Sequence, residues 1–156
     1  MRSVCFTGHR EIGITQELKA RLYMELEHLV NYGVTDFYAG GALGFDTFAE
    51  QTVLELKAKY PQAQLKLVLP CPAEQQTLKW SAAEKAEFHR IKNLADSIEI
   101  CCEHYTTNCM RNRNQRLVDL ADICVCYFNP RNDHSGTGQT VRMVQRKGIP
   151  LINLYE

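Results

Sequence analysis

Ser3-Val4-Cys5-Phe6-Thr7-Gly8-His9-Arg10 and Thr35-Asp36-Phe37-Tyr38-Ala39-Gly40-Gly41-Ala42-Leu43-Gly44-Phe45-Asp46 are built alike. Each is a short β-rich run that ends abruptly in glycine, and the second runs straight into a segment of helical period. Thr15 to Tyr32 lies between them, with Leu18, Leu22, Leu26, Leu29 and Val30 at steps of three and four. That spacing places five apolar side chains on one helical face. Thr15 is the expected N-cap, and Gly33 stands where a left-handed terminating residue is wanted. Strand, helix and strand in this order, joined by tight glycine turns, is the βαβ unit of a parallel sheet.

The same alternation continues to the end of the chain. Further strands are expected at Leu65–Pro70, Ser97–Cys102, Ile123–Phe128 and Leu151–Leu154. Helices are expected at Asp46–Tyr60, stopped by Pro61, from the capping box Ser81-Ala82-Ala83-Glu84 to Leu94, and at Asn108–Leu120 and Gly138–Lys147. Most of these strands are nearly continuous apolar runs, as expected where helices cover both faces of a sheet. The fold class is therefore α/β: one Rossmann-like open parallel sheet with helices on both faces, a single domain over residues 1–156.

Composition narrows the function classes. With 156 residues, 45% of them hydrophobic and 23% charged, the chain can close a core without metal or disulfides. Eighteen basic residues balance eighteen acidic ones, which disfavours nucleic acid as a partner. The longest apolar run, Ala121 to Phe128, is interrupted by Asp122 and is far short of the ~20 residues of a membrane span. The apolar start Val4-Cys5-Phe6 ends at Gly8-His9-Arg10, which is not a signal-peptide pattern. Seven irregularly spaced cysteines read as free thiols in a reducing, cytoplasmic setting. Cys101, Cys102, His104 and Cys109 form the one cluster of metal-ligating types, but their spacing matches no common zinc pattern, and no metal is assigned.

In an open parallel sheet, ligands bind beyond the carboxyl ends of the strands. The loops there are Thr7-Gly8-His9-Arg10, then Gly40 to Asp46, then Asn129 to Asp133 followed by Ser135-Gly136-Thr137-Gly138. Glycine allows close backbone approach, and amides of a first helical turn attract an anion. Ser135, Thr137 and Thr140 offer hydroxyls, and Arg10 a bidentate clamp. Each loop taken alone is equally well explained as a tight βα turn; three on one edge indicate phosphate or nucleotide binding. There is no G-x-G-x-x-G after the first strand and no G-x-x-x-x-G-K-[ST], so neither the dinucleotide fingerprint nor a P-loop is present.

Thr7-Gly8-His9-Arg10, Gly40-Gly41-Ala42-Leu43-Gly44-Phe45-Asp46, Arg113-Asn114 with Val118-Asp119, and Ser135-Gly136-Thr137, in this order, resemble the YpsA-like family of the SLOG superfamily. The Gln76 to Trp80 spacing is similar too, and the resemblance spans essentially the whole chain. That superfamily also contains the DprA and LOG proteins. The resemblance implies a Rossmann-like sheet with a pocket for a nucleotide or a nucleotide-derived ligand of ADP-ribose or NAD kind. It makes Thr7, Gly8, His9, Arg10, Gly40, Gly41, Gly44, Asp46, Arg113, Asn114, Ser135, Gly136 and Thr137 the candidate ligand-binding residues.

The chain departs from the LOG enzymes at one informative place. Their P-G-G-x-G-T-x-x-E motif ends in a catalytic glutamate; here Ser135-Gly136-Thr137-Gly138-Gln139-Thr140-Val141-Arg142 has none. Cleaving an N-glycosidic bond needs a carboxylate to stabilise oxocarbenium-like charge. Asp46, Glu50 and Asp133 are the acids left near the pocket, and Asp46 and Glu50 are the catalytic candidates. Asp46 reads equally as a helix N-cap, Glu50 as a solvated face, His9 as a turn residue and Trp80 as packing. Binding or sensing of a nucleotide-derived ligand is the leading expectation. A nucleotide-processing enzyme, a phosphoribohydrolase or deoxyribosyltransferase, is the first alternative; a DprA-like single-stranded DNA binder is the second. Assembly into a homo-oligomer is left open.

Overall fold

The computed structural model describes residues 2–156. Its strands are β1 (Ser3–Gly8), β2 (Asp36–Ala39), β3 (Gln64–Leu69), β4 (Ser97–Ile100), β5 (Ile123–Tyr127) and β6 (Leu151–Asn153). Its helices are α1 (Gln16–Asn31), α2 (Phe45–Lys59), α3 (Ala73–Gln76), α4 (Ala82–Leu94), α5 (Cys109–Leu120) and α6 (Gly136–Lys147). All six strands pair in parallel in the order β4-β3-β2-β1-β5-β6. The chain steps outward from β1 to β4, crosses back, and continues on the other side with β5 and β6. The reversal lies between β1 and β5, whose register runs from Val4 beside Ile123 to Gly8 beside Tyr127. Loops leaving these two strands diverge, and the crevice between them is where a fold of this type takes its ligand.

Alternation along the strands divides the core into two layers. Val4, Phe6, Phe37, Leu65, Leu67 and Val125 face one side and pack under α1, α2 and α4. Cys5, Val68, Cys124 and Cys126 face the other, under α5 and α6. Phe6, Phe37 and Phe45 are fully buried in the larger layer, and each contributes roughly 1.5–3 kcal/mol by leaving water.

Most expected elements form within one residue of their expected ends, and the larger differences are these. α6 begins at Gly136 rather than Gly138, because the Ser135 hydroxyl accepts from the Gly138 amide at 3.0 Å and sets the cap earlier. β4 ends at Ile100 rather than Cys102. β4 is also an edge strand exposed along its length, with Ile98 41% and Ile100 48% accessible. The single turn α3 follows Pro72 and was not marked by any periodicity. Thr15 caps α1 through the Leu18 amide, and Ser81 with Glu84 forms the expected capping box on α4. No helix among the described residues is long and apolar enough to cross a membrane.

Candidate functional site

A cleft of about 700 Å³ opens at the carboxyl ends of β1 and β5. Thr7, Gly8, His9 and Arg10 form one wall, and Ser135, Gly136 and Thr137 another. Asp46, Arg113 and Asn114 also line it. Gly40, Gly41 and Gly44 do not, nor does Glu50; these four lie behind the cleft wall.

The wall at α6 is open. As the first amides of a helix, those of Gly136 and Thr137 have no intrahelical acceptor, and no other backbone carbonyl takes them. A Cβ placed on Gly136 would meet nothing within 4 Å. The Ser135 hydroxyl is committed, accepting from Gly138 and donating to the Asn132 carbonyl at 2.7 Å. Thr140 is likewise no ligand donor: it is fully buried and donates to the Gly136 carbonyl at 3.0 Å. Thr137 lines the cleft. Among the described residues the Arg10 guanidinium has no hydrogen-bond or ion-pair partner.

Behind the cleft lies a buried charged group. Arg113 on α5 is 5% exposed, Asp46 6% and Glu50 2%. Arg113 donates from Nη1 to the Gly40 carbonyl and from Nε to Asn114 Oδ1 at 2.7 Å. Glu50 accepts from the Gly41 amide at 3.0 Å, and Asp46 from the Ala42 amide at 3.2 Å. Gln76 donates to the Gly41 carbonyl at 3.2 Å. These side chains together hold the loop after β2. Burial pushes the Glu50 carboxyl well above its usual range, and the neighbouring Asp46 pushes it further. Burial also raises Asp46, opposed by the charge of Arg113. Burial lowers Arg113, yet a guanidinium stays charged in a protein. The favourable arrangement is one ionised carboxylate beside the guanidinium and the other carboxyl protonated.

Several sequence expectations change here. Asp46 is not the N-cap of α2; that place is taken by Gly44, and Asp46 lies inside the first turn. Glu50 is not solvated, and of the two candidate acids only Asp46 reaches the cleft. Asp133 is engaged by Arg142 at 3.0 Å. His9 accepts at Nε2 from the Asn129 amide at 2.9 Å, tying the β1 loop to the β5 loop. Burial lowers its pKa, so a neutral imidazole with its proton on Nδ1 fits the site. Cys101, Cys102, His104 and Cys109 do not converge: among the described residues no group of three or more His, Cys, Asp or Glu side chains is placed to hold a metal. Tyr127 and Tyr155 line the cleft edge to face, with ring centres 5.4 Å apart, and were not singled out beforehand. Tyr155 follows β6, so the same strand-end rule that picked Gly8 and Gly136 reaches it as well. Its amide donates to Asn153 Oδ1 at 3.1 Å, and the same Asn153 side chain bonds the Phe128 backbone just after β5.

The fold and the loop set define a Rossmann-like SLOG protein. The model described as the YspA SLOG family, YpsA, matches residues 4–150, and the chain belongs to that family. Among curated relatives, a UPF0398 protein of Bacillus pumilus (strain SAFR-032) is 26% identical over 146 residues, covering 86% of this chain and 77% of that one. The SPbeta prophage-derived protein YoqJ of Bacillus subtilis (strain 168) is 29% identical over 134 residues, covering 78% and 76%. Among solved structures, DNA processing protein A from Helicobacter pylori, described for its single-stranded DNA binding mode, superposes with a TM-score of 0.70 at 20% identity. The superposition covers 99% of this chain and 66% of that one, so this chain spans just under two thirds of that protein's length. The expectation that nucleic acid is disfavoured is corrected by this finding. Overall charge balance excludes nothing, because a protein of this fold is described as binding single-stranded DNA, and a neutral total leaves room for a local cationic wall such as Arg10 supplies.

Proposed function

We propose that the cleft binds the phosphate of a nucleotide unit at the Gly136 and Thr137 amides, with Arg10 beside them. The observation that carries this reading is the open wall at α6: two amides without acceptors, free space at Gly136, and an unpartnered guanidinium on the same cleft. A phosphate satisfies all of these at once, through backbone donors, the helix dipole and a charge-assisted pair.

The nucleotide is taken to arrive in single-stranded DNA, the reading supported by likeness to a protein described as binding it. A free nucleotide-derived ligand of ADP-ribose or NAD kind is the second reading, favoured by a cleft volume of about 700 Å³, which is in the range of small-molecule sites. We place the protein in the cytoplasm. All seven cysteines are free, and Cys5, Cys124 and Cys126 pack together as small apolar side chains, a use of thiols suited to a reducing compartment.

The test is anisotropy of a labelled oligodeoxynucleotide with the parent and Arg10→Ala, beside thermal shifts with ADP-ribose. Under the first reading DNA binds, and Arg10→Ala weakens it about tenfold and flattens its salt dependence. Under the second, ADP-ribose at 100 times its Kd adds about 2.7 kcal/mol of stability and DNA does not compete. Neither ligand binding, or binding indifferent to Arg10, contradicts the site.

A further inference from the structure

A second cleft, of about 720 Å³, lies on the other side of Arg10. Arg10 and Met110 line both clefts, so the two are neighbours across a shared wall. The second has a different chemistry. Trp80 and Tyr105 present aromatic surface there, and Lys79 adds a cation. Trp80 stands edge-on to Phe88, with ring centres 5.5 Å apart and planes at 88°, so its indole is held from behind while remaining partly exposed. Tyr105 is 60% exposed, and its loop is tied down by its amide donating to the Gln75 side chain.

Gln76 supplies an independent observation. It lines this cleft and is only 7% exposed. Its Nε2 donates to the carbonyls of Gly40 and Gly41 at 3.4 and 3.2 Å, which settles which end of the amide is nitrogen. Oε1 is left as the one buried side-chain polar atom without a partner among the described residues. Oε1 is closed off from solvent just beneath the cleft wall, so a ligand N–H completes it where that wall yields to admit one.

We propose that this second cleft seats a nucleobase bearing an exocyclic amino group, stacked between Trp80 and Tyr105, while the phosphate joined to it lies in the first cleft beside Arg10. The inference rests on the phosphate reading above and adds its base-recognition half. The shared chemistry is a base linked to phosphate, whether in a DNA step or in a free nucleotide.

Trp80 is the only tryptophan, so its emission reports this cleft alone. The parent is titrated with the 5′-phosphorylated dinucleotides of deoxyadenosine and of thymidine, with ADP-ribose, and with ribose 5-phosphate, following both heat and Trp80 emission. The expected result is that the deoxyadenosine dinucleotide, ADP-ribose or both quench Trp80, the tighter of the two naming the source. The thymidine dinucleotide binds more weakly, and ribose 5-phosphate gives heat without quenching. Tyr105→Ala, an exposed position safe for folding, weakens the adenine ligands about tenfold and leaves ribose 5-phosphate unchanged. Heat from the adenine ligands with unchanged Trp80 emission and no effect of Tyr105→Ala overturns the base site while leaving the phosphate site standing. Equal affinity for adenine and thymine ligands overturns the role of Gln76. No heat from any of them overturns the phosphate reading, and the base site with it.

Discussion

Two glycine loops face the same edge of the sheet, and they do opposite things. In the loop after β2, a Cβ on Gly40 would strike the Arg113 guanidinium, and one on Gly41 would come to 2.8 Å of Leu69. One on Gly44, at φ +81°, would strike the backbone of Arg10. That loop is filled by protein: its amides and carbonyls are taken by Glu50, Asp46, Arg113 and Gln76. In the loop before α6, Gly136 faces open space and its amide is unpaired. Glycine lets something approach a backbone closely. In one loop that something is the rest of the chain; in the other the space is open, and it is there that we propose the phosphate sits.

The contrast breaks most visibly at Arg113. Replacing it with alanine leaves the buried Gly40 carbonyl without its donor and removes the buried cation whose charge favours an ionised Asp46, at a cost of about 3–5 kcal/mol in urea unfolding. An Arg113→Ala chain with parental stability would mean that the closed loop does not depend on this group. Gly44→Ala combines a left-handed backbone with the collision against Arg10 and is expected to cost about 2–4 kcal/mol by the same measurement. Gly136→Ala, in contrast, should stay within about 1 kcal/mol of the parent. Equal costs at the two glycines would erase the distinction.

The protonation states sharpen it further. The Glu50 carboxyl is raised in the folded chain, so the folded state holds its proton more tightly than the unfolded state. That contribution to stability is full below the ordinary carboxylate pKa and is lost as pH rises through the folded value. Glu50→Gln keeps an acceptor for the Gly41 amide and has no proton to lose. Its stability relative to the parent should therefore climb as pH rises above about 4.5. A difference that is flat with pH would show that Glu50 is not held in its protonated form.

The smallest effect is expected at His9, which is only partly buried. Its pKa is lowered in the fold, so its contribution is present above about pH 6.5 and is lost as pH falls below it. Protonating Nε2 removes the acceptor for the Asn129 amide. His9→Gln should accordingly flatten the parent's decline in melting temperature between about pH 6.5 and 5. An unchanged decline would assign it to other groups.

Much of the fold is legible because period and punctuation agree. The five leucine and valine positions of α1, its Thr15 cap and the βα glycines all point to one topology, and the strand-end rule then locates the cleft. What periodicity cannot show is what fills the space around a loop. Gly44 and Gly136 look alike in one dimension, and only the Arg10 backbone, returning from the loop after β1, separates a closed turn from an open one. Glu50 stands beside the apolar residues of α2 and reads as a surface acid; Arg113, arriving from α5, and the Gly41 amide make it a buried one. Charge counting failed for a related reason, since a sum over the chain says nothing about which cations are left without partners.

The proposed anion site lies at the open N-terminus of α6 and not at the filled β2 loop. The most direct test is calorimetric titration of the 5′-phosphorylated deoxyadenosine dinucleotide and of ADP-ribose into the parent and into Gly136→Asp. The substitution puts a carboxylate into open space at a helix N-terminus, where the dipole favours it, so the melting temperature should hold or rise slightly. The same carboxylate would fill the proposed phosphate position and repel an anion there. The expected result is a parent that binds at least one of the two ligands and a folded Gly136→Asp whose affinity for it falls at least about tenfold, the minimum for one lost charge-assisted contact. Parental affinity in folded Gly136→Asp, or no binding of either ligand by the parent, would contradict it.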